Sequence, residues 1–243
     1  MLLMDRYFLA NHGIDRRHIS PLDRLAYMAD RGMGALEYRP VLEHATGEDD
    51  IDLAQLYQES QAVYEGDTSS ILDALRLAGG SPAGARPKVV VALSPDRKQC
   101  NTSFRQLPAG YQHWLVKFRS PTEHRDTGTI EYAYALLAER AGVKMAASNL
   151  LTVSSAKGTE RFFAAQRFDR HGDSKLHMMT ASGILYADHR VPSLDYSDLL
   201  KTTHAVTNHA AEVERMARLM VFNALTHNHD DHAKNFAFLH DQG

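Results

Sequence analysis

The chain has 243 residues, 44% of them hydrophobic, enough for one large domain or two lobes around a buried core. Its single cysteine, Cys100, excludes an internal disulfide and a cysteine-built zinc site, and 30 acidic against 27 basic residues give no general signal for nucleic-acid binding. No apolar run approaches the roughly 18 residues of a membrane span, and Met1-Leu2-Leu3-Met4 passes straight into Asp5 and Arg6 without a signal-peptide core, so the expected location is the cytoplasm.

Residues 1 to about 30 read as helical and amphipathic, with Ser20-Pro21-Leu22-Asp23 supplying an N-cap, a proline in the first turn and an early carboxylate. Leu22, Leu25, Ala26, Met28 and Ala29 are the expected buried side. Arg31-Gly32-Met33-Gly34 breaks that pattern, residues 35–40 form a short strand or extended segment, and residues 43–52 an acidic surface loop. Helical spacing returns over 51–62 and 71–77. A small-residue loop, Gly80-Ser81-Pro82-Ala83-Gly84-Ala85-Arg86-Pro87-Lys88, then enters the β-branched strand Val89-Val90-Val91-Ala92-Leu93. Such a loop lets backbone N–H groups approach a phosphate, although a plain turn has the same composition.

Trp114-Leu115-Val116-Lys117-Phe118 is a compact strand with one lysine among apolar neighbours. A strand lysine can simply face solvent, or it can grip a phosphate with a helical glutamate behind it. The next helix, predicted over 130–141 with Thr129 as its cap and Ile130, Tyr134, Leu137 and Ala141 on one face, offers Glu131 as that partner. A strand pair follows over 149–153 and 161–168, then the polar linker Arg167-Phe168-Asp169-Arg170. Beyond it the chain reads as mostly helical: 176–185, 196–205, and a long helix carrying Val213, Met216, Ala217, Met220, Val221, Ala224 and Leu225 as one stripe.

That last helix runs into His227-Asn228-His229-Asp230-Asp231-His232-Ala233-Lys234-Asn235 and then a short alternating strand. Asp230 and Asn235 stand five positions apart with Lys234 between them, which is the kinase catalytic-loop spacing. A carboxylate there accepts a hydroxyl proton, an amide oxygen holds magnesium, and a cation sits near the transferred phosphate. Asp, Asn and His also populate ordinary turns and caps. The run further fits the H-x-H-x-D-H pattern of metal-dependent hydrolases through His227, His229, Asp231 and His232. That pattern belongs after a buried strand and needs later ligands, whereas here a helix precedes it and only His240 and Asp241 follow.

These motifs together resemble the HipA family, the serine/threonine-protein kinase toxins of bacterial toxin–antitoxin modules. The resemblance is carried by residues 22–27 with 30–36, by Ala83-Gly84-Ala85-Arg86-Pro87-Lys88, by Val116-Lys117-Phe118, by Arg167-Phe168-Asp169-Arg170, and by His232-Ala233-Lys234-Asn235-Phe236. It implies an α+β, two-lobed protein-kinase-like fold with a mixed α/β N-terminal lobe over 1–168 (a helical front part to about 78, then the nucleotide-binding sheet) and a mainly helical C-terminal lobe over 169–243. It also implies ATP and Mg2+ as cofactors. Lys117, Lys88, Ala83, Gly84 and Ala85 are then expected at the nucleotide phosphates, with Glu131 behind Lys117 and with Gln166 and Phe168 framing the adenine. Asp230 becomes the general base, Lys234 the loop cation, Asn235 the metal ligand and Ser81 the autophosphorylation site. Gln166 stands where the family commonly has glutamate.

The resemblance further implies an aminoacyl-tRNA synthetase as protein substrate, a helix-turn-helix antitoxin (HipB-like) as partner carrying the DNA contact, and in some members a separately encoded front subdomain. Relative to the family pattern the chain lacks that subdomain and a late aspartate equivalent to the kinase D-F-G carboxylate. The expectation is therefore a truncated form of low activity. Two other readings remain: a non-catalytic kinase-fold binding module, and the metal-dependent hydrolase built on His227, His229, Asp231 and His232.

Overall fold

In the computed structural model, residues 2–42, 51–65, 86–102, 107–155, 158–172, 174–188, 191 and 194–240 are described. Among them the fold is mixed α/β, with seven α-helices and a five-stranded antiparallel sheet. Internal contacts divide the chain into two compact units, Met1–Tyr132 with Ala146–Lys175, and Ala133–Met145 with Leu176–Gly243. No helix among the described residues is long and apolar enough to cross a membrane.

In the first unit the sheet order is β2-β1-β3-β5-β4, formed by β1 (Lys88–Leu93), β2 (Cys100–Asn101), β3 (Gln112–Lys117), β4 (Ser148–Ser155) and β5 (Gly158–Gln166). Because side chains alternate across a strand, Val89, Val91, Leu93, Trp114, Val116, Phe162 and Ala164 share a buried cluster with Leu56 and Tyr57 of helix α3 (Leu53–Glu65). The alternate positions, Lys88, Leu115, Lys117 and Phe163, belong to the opposite face. Register puts Lys88 directly across from Lys117, and Lys117 across from Phe163. Residues 35–40 form no strand; bends at 35 and at 39–40 flank an irregular stretch.

The predicted N-terminal helix is two: α1 (Leu2–His12) and α2 (Pro21–Met28). Gly13, at φ +63°, ends the first, and a 3-10 turn over Arg16–His18 separates them. Ser20 caps α2, as its place before Pro21 predicts, and Asp23, expected only as an early carboxylate, completes a reciprocal capping box. The buried side of α2 differs in part from expectation: Ala29 is buried as expected, but Leu22 is 75% exposed, and Tyr27 packs with Met4, Tyr7, Phe8 and Ile19.

A buried ion network binds the two halves of this unit. Asp169, fully buried, accepts from Arg167 Nε (2.9 Å) and Nη2 (2.6 Å), from Arg170 Nη1 (2.8 Å) and from the Gly34 N–H (2.7 Å). The two guanidiniums also donate to the carbonyls of Gly32 and Gly34. Burial alone would raise the Asp169 pKa, but the Arg167 hydrogen bonds and charge, the Gly34 N–H and Arg170 outweigh it and hold the carboxyl below its usual range. The polar linker after β5 is thus an interior clamp on residues 32–34. A short ribbon, β6 (Arg170–His171) with β7 (Ser174–Lys175), follows it.

His113 of β3 lies beside this network, and burial first, then the charges of Arg167 and Arg170, push its pKa down to about 4 against the opposing pull of Asp169. The folded state keeps it neutral where the unfolded chain takes up a proton. Its contribution is therefore present above pH 6.5 and is lost as pH falls from 6.5 toward 4, by roughly 3 kcal/mol at most. Urea unfolding at pH 7 and pH 4.5 is expected to show that loss, and His113→Gln to reduce it; an unchanged difference would contradict the assignment.

Helix α4 (Thr127–Arg140) begins two residues before the predicted cap, and Thr129 lies inside it. Its predicted core stripe is exposed: Ile130, Tyr134 and Leu137 are about half accessible, and the buried positions are Gly128, Ala135 and Ala138. Small residues let a backbone approach closely, which a count of large apolar side chains misses. A Cβ on Gly128 would lie 2.4 Å from the Arg161 carbonyl oxygen and 3.1 Å from Phe163 N, both backbone atoms of β5. Alanine would gain about 1 kcal/mol of helix propensity and lose about 1–3 kcal/mol to overpacking. Gly128→Ala is therefore expected to lower the melting temperature, and an equal or higher one would refute the close contact.

The second unit contains α5 (Ala181–Leu185), α6 (Tyr196–Thr207) and α7 (Ala210–Leu225), with β8 (His177–Thr180) paired to β9 (Ala237–His240). The helix predicted over 176–185 is corrected here. Its first half is β8, which pairs with the strand leaving the 227–235 loop, and Thr180 then caps the short α5 by accepting from Gly183 N. Ala181, Leu199 and Phe236 form the small core of this unit, with Tyr196, Met216, Leu219 and Phe238 against it.

Candidate active site

Each unit holds one cluster of the predicted residues. In the first, β3 presents Lys117 opposite Phe163 and the first turns of α4 present Glu131. Lys117 Nζ donates to Glu131 Oε1 and lies 5.4 Å from the Phe163 ring centroid. Arg86 Nη1 donates to the other oxygen, Glu131 Oε2, at 2.8 Å, and Arg86 Nε is 2.8 Å from Glu123 Oε1. Lys117, Glu131, Arg86 and Glu123 are each about a quarter exposed, so the strand lysine is held rather than solvated. Lys88 is half-buried across the strand pair.

At the end of β5, Gln166 donates its backbone N–H to Ala147 O, and Arg167 N–H to His113 O, each at 2.8 Å. Gln166 borders a cavity of about 200 Å³ lined also by Tyr111, Gln112, His113 and Arg170. Phe168, just after the strand, is 45% exposed. Ser81, Ala83, Gly84 and Ala85 lie outside the described residues, as do the helix predicted over 71–77 and Asp241.

In the second unit, α7 delivers the loop that sequence singled out. Asn223 faces inward near the end of the helix, and its Nδ2 donates to Tyr196 Oη at 2.9 Å. Tyr196 Oη donates to Asp231 Oδ2 at 2.7 Å. Asn228 in turn donates to Asn223 through its backbone N–H (2.9 Å) and its side-chain amide (3.2 Å), and His227 makes the bend at φ +53°. Burial, then the Asp231 carboxylate, push the Tyr196 phenol up to about 12 against the Asn223 amide, so the phenol stays a neutral donor.

The two aspartates consequently differ. Asp231 accepts the Tyr196 hydroxyl, whereas the Asp230 side chain is 85% exposed, with His232 Nε2 3.5 Å from it. The Asp230 backbone is fixed: its N–H donates to Asn228 Oδ1 at 3.1 Å, and its carbonyl accepts from Asn235 Nδ2. With that nitrogen committed, the Asn235 amide oxygen is the end left for a cation, and an oxygen donor suits magnesium. Lys234 and Asn235 lie in a 3-10 turn, Ala233–Asn235, with both side chains exposed. His227 and His229 are exposed, and among the described residues no group of three or more His, Cys, Asp or Glu side chains is placed to hold a metal ion.

A family model described as HipA-like C-terminal domain matches residues 80–243, about two thirds of the chain and both clusters. The chain belongs to the HipA family. No curated protein matches it. Membership is consistent with kinase-toxin function. Within this HipA-like chain, the sequence marks Arg86 only as part of the loop motif and gives no role to Asn223 or Tyr196. The signal for Arg86 is its position two residues before Lys88 at the start of the strand; nothing in the pattern around Tyr196 marks it.

Proposed function

We propose that this HipA-like chain is a serine/threonine-protein kinase that binds ATP through Lys117, with Glu131 behind it, and uses Asp230 as general base. The observation that carries the reading is the Lys117–Glu131 ion pair between a central strand and the helix that follows it. The Asp230–Asn235 loop agrees with it, one aspartate exposed and its neighbour clamped. The two-lobed kinase-like architecture, with an N-terminal lobe to about 168 and a helical C-terminal lobe beyond, belongs to this reading.

In the reaction, a seryl or threonyl oxygen attacks the γ-phosphorus of ATP, the bond to the β-phosphate oxygen breaks, ADP leaves, and the hydroxyl proton passes to Asp230. Lys117 holds the phosphates together with Lys88, and Gln166 and Phe168 frame the base. Lys234 lends charge near the transferred group. Magnesium, when bound at Asn235, neutralises phosphate charge. On this reading the protein substrate is an aminoacyl-tRNA synthetase, the partner a HipB-like helix-turn-helix antitoxin, and Ser81 the autophosphorylated residue. Incubation with γ-labelled ATP, magnesium and a panel of synthetases tests this. Label recovered as phosphoserine or phosphothreonine is expected, and release of inorganic phosphate alone would contradict it.

A further inference from the structure

Glu131 serves two cations. Lys117 occupies one of its oxygens and Arg86 the other, while Arg86 Nε pairs with Glu123, whose second oxygen accepts the Ser120 N–H at 2.7 Å. Arg119 Nη1 secures the Glu123 carbonyl at 3.2 Å. An exposed ion pair here would contribute little, but Arg86 is only 28% exposed and reaches two carboxylates at once, hydrogen-bonding Glu131 through Nη1 and ion-pairing with Glu123 through Nε, a span that the single ammonium of a lysine does not cover. With Lys117 as its only cation, the Glu131 carboxylate could turn either oxygen toward it and drift with the helix. Arg86 fixes that rotation from the opposite side, anchored in the β3–α4 connection.

We propose that Arg86 is a positioning residue for nucleotide binding: it orients the Glu131 carboxylate, and through it sets the place of the Lys117 ammonium. This rests on the kinase reading above. Arg86 stands two residues before Lys88, at the exit of the small-residue loop, so the same residue couples entry into β1 to the lysine–glutamate pair.

The test is a double-mutant cycle on ATP affinity, measured by calorimetric titration of wild type, Arg86→Ala, Glu131→Gln and the double variant, with circular dichroism to confirm folding. Arg86→Ala is expected to weaken ATP roughly tenfold in the wild-type background and by less than about twofold in the Glu131→Gln background, because the interaction runs through that carboxylate. Arg86→Lys, which can reach one carboxylate at a time, is expected to recover part of the loss and stands in should the alanine variant not fold. Equal losses in both backgrounds would overturn the positioning role. Wild-type affinity in Arg86→Ala, with Lys117→Ala still defective, would overturn this inference and leave the kinase reading standing. Absence of ATP binding by the wild type would sink both.

Discussion

Asp230→Asn is expected to lower phosphoryl transfer about 1,000-fold while leaving ATP affinity within about twofold, since a general base contributes roughly 10²–10⁴ and an amide cannot take the proton. The separation follows from how the loop is held. Asn228 and Asn235 bind the backbone N–H and carbonyl of residue 230, and the side chain itself is 85% exposed, so replacing one carboxylate oxygen by nitrogen disturbs no support. The comparison is a ratio and holds at whatever absolute rate the chain turns over. Asp231→Ala should behave oppositely, loosening the loop because it removes the acceptor of the Tyr196 phenol. A metal-dependent hydrolase would need Asp231 and the flanking imidazoles as ligands, and would lose bound metal in that variant. Transfer unchanged in Asp230→Asn would rule out its role as base.

Asp169→Ala is expected to destabilise the fold by about 3–5 kcal/mol, the cost of leaving buried charge without its partner. Two guanidiniums, 1% and 5% exposed, would face each other with no carboxylate between them, and the Gly34 N–H would lose its acceptor. Against a typical total of about 5–15 kcal/mol, that is a large share. Asp169→Asn keeps the acceptor oxygen and loses the charge, so a smaller loss is expected. Urea unfolding followed by the single tryptophan, Trp114, measures both. A change below about 1 kcal/mol in Asp169→Ala would mean that the clamp between residues 32–34 and 167–170 does not hold the unit together.

Local chemistry announced some of this and hid the rest. The Ser20 N-cap, the β-branched strand at 89–93 and the helix ending at Leu225 were legible because each depends on neighbours in sequence. The buried face of α4 was not, because its contact is made by Gly128, Ala135 and Ala138, whose smallness leaves no hydrophobic signal. Helix α7 shows the same limit at its end: the predicted stripe runs to Leu225, which is 75% exposed, and the inward residue is Asn223, a polar anchor for the loop. Strand β8 was read as helix because its partner, β9, lies about sixty residues later, and pairing at that distance leaves no local mark.

At the candidate site, residue types and spacing singled out Lys117, Asp230 and Asn235. Their supports came only with the fold. Arg86 reaches Glu131 across 45 positions and Tyr196 reaches Asp231 across 35. What the spacing could not show was which aspartate is free, and the Tyr196 hydrogen bond answers that.

The most direct trial of the account is a calorimetric titration of magnesium-ATP into the wild-type chain and into Lys117→Ala, in which Arg86 still holds Glu131 and the fold should persist. Saturable binding to one site is predicted for the wild type, with affinity at least about 30-fold weaker in the variant, the loss of one charge-assisted phosphate contact of about 2 kcal/mol. Equal affinity in the two proteins, or no saturable binding by the wild type, would contradict the account.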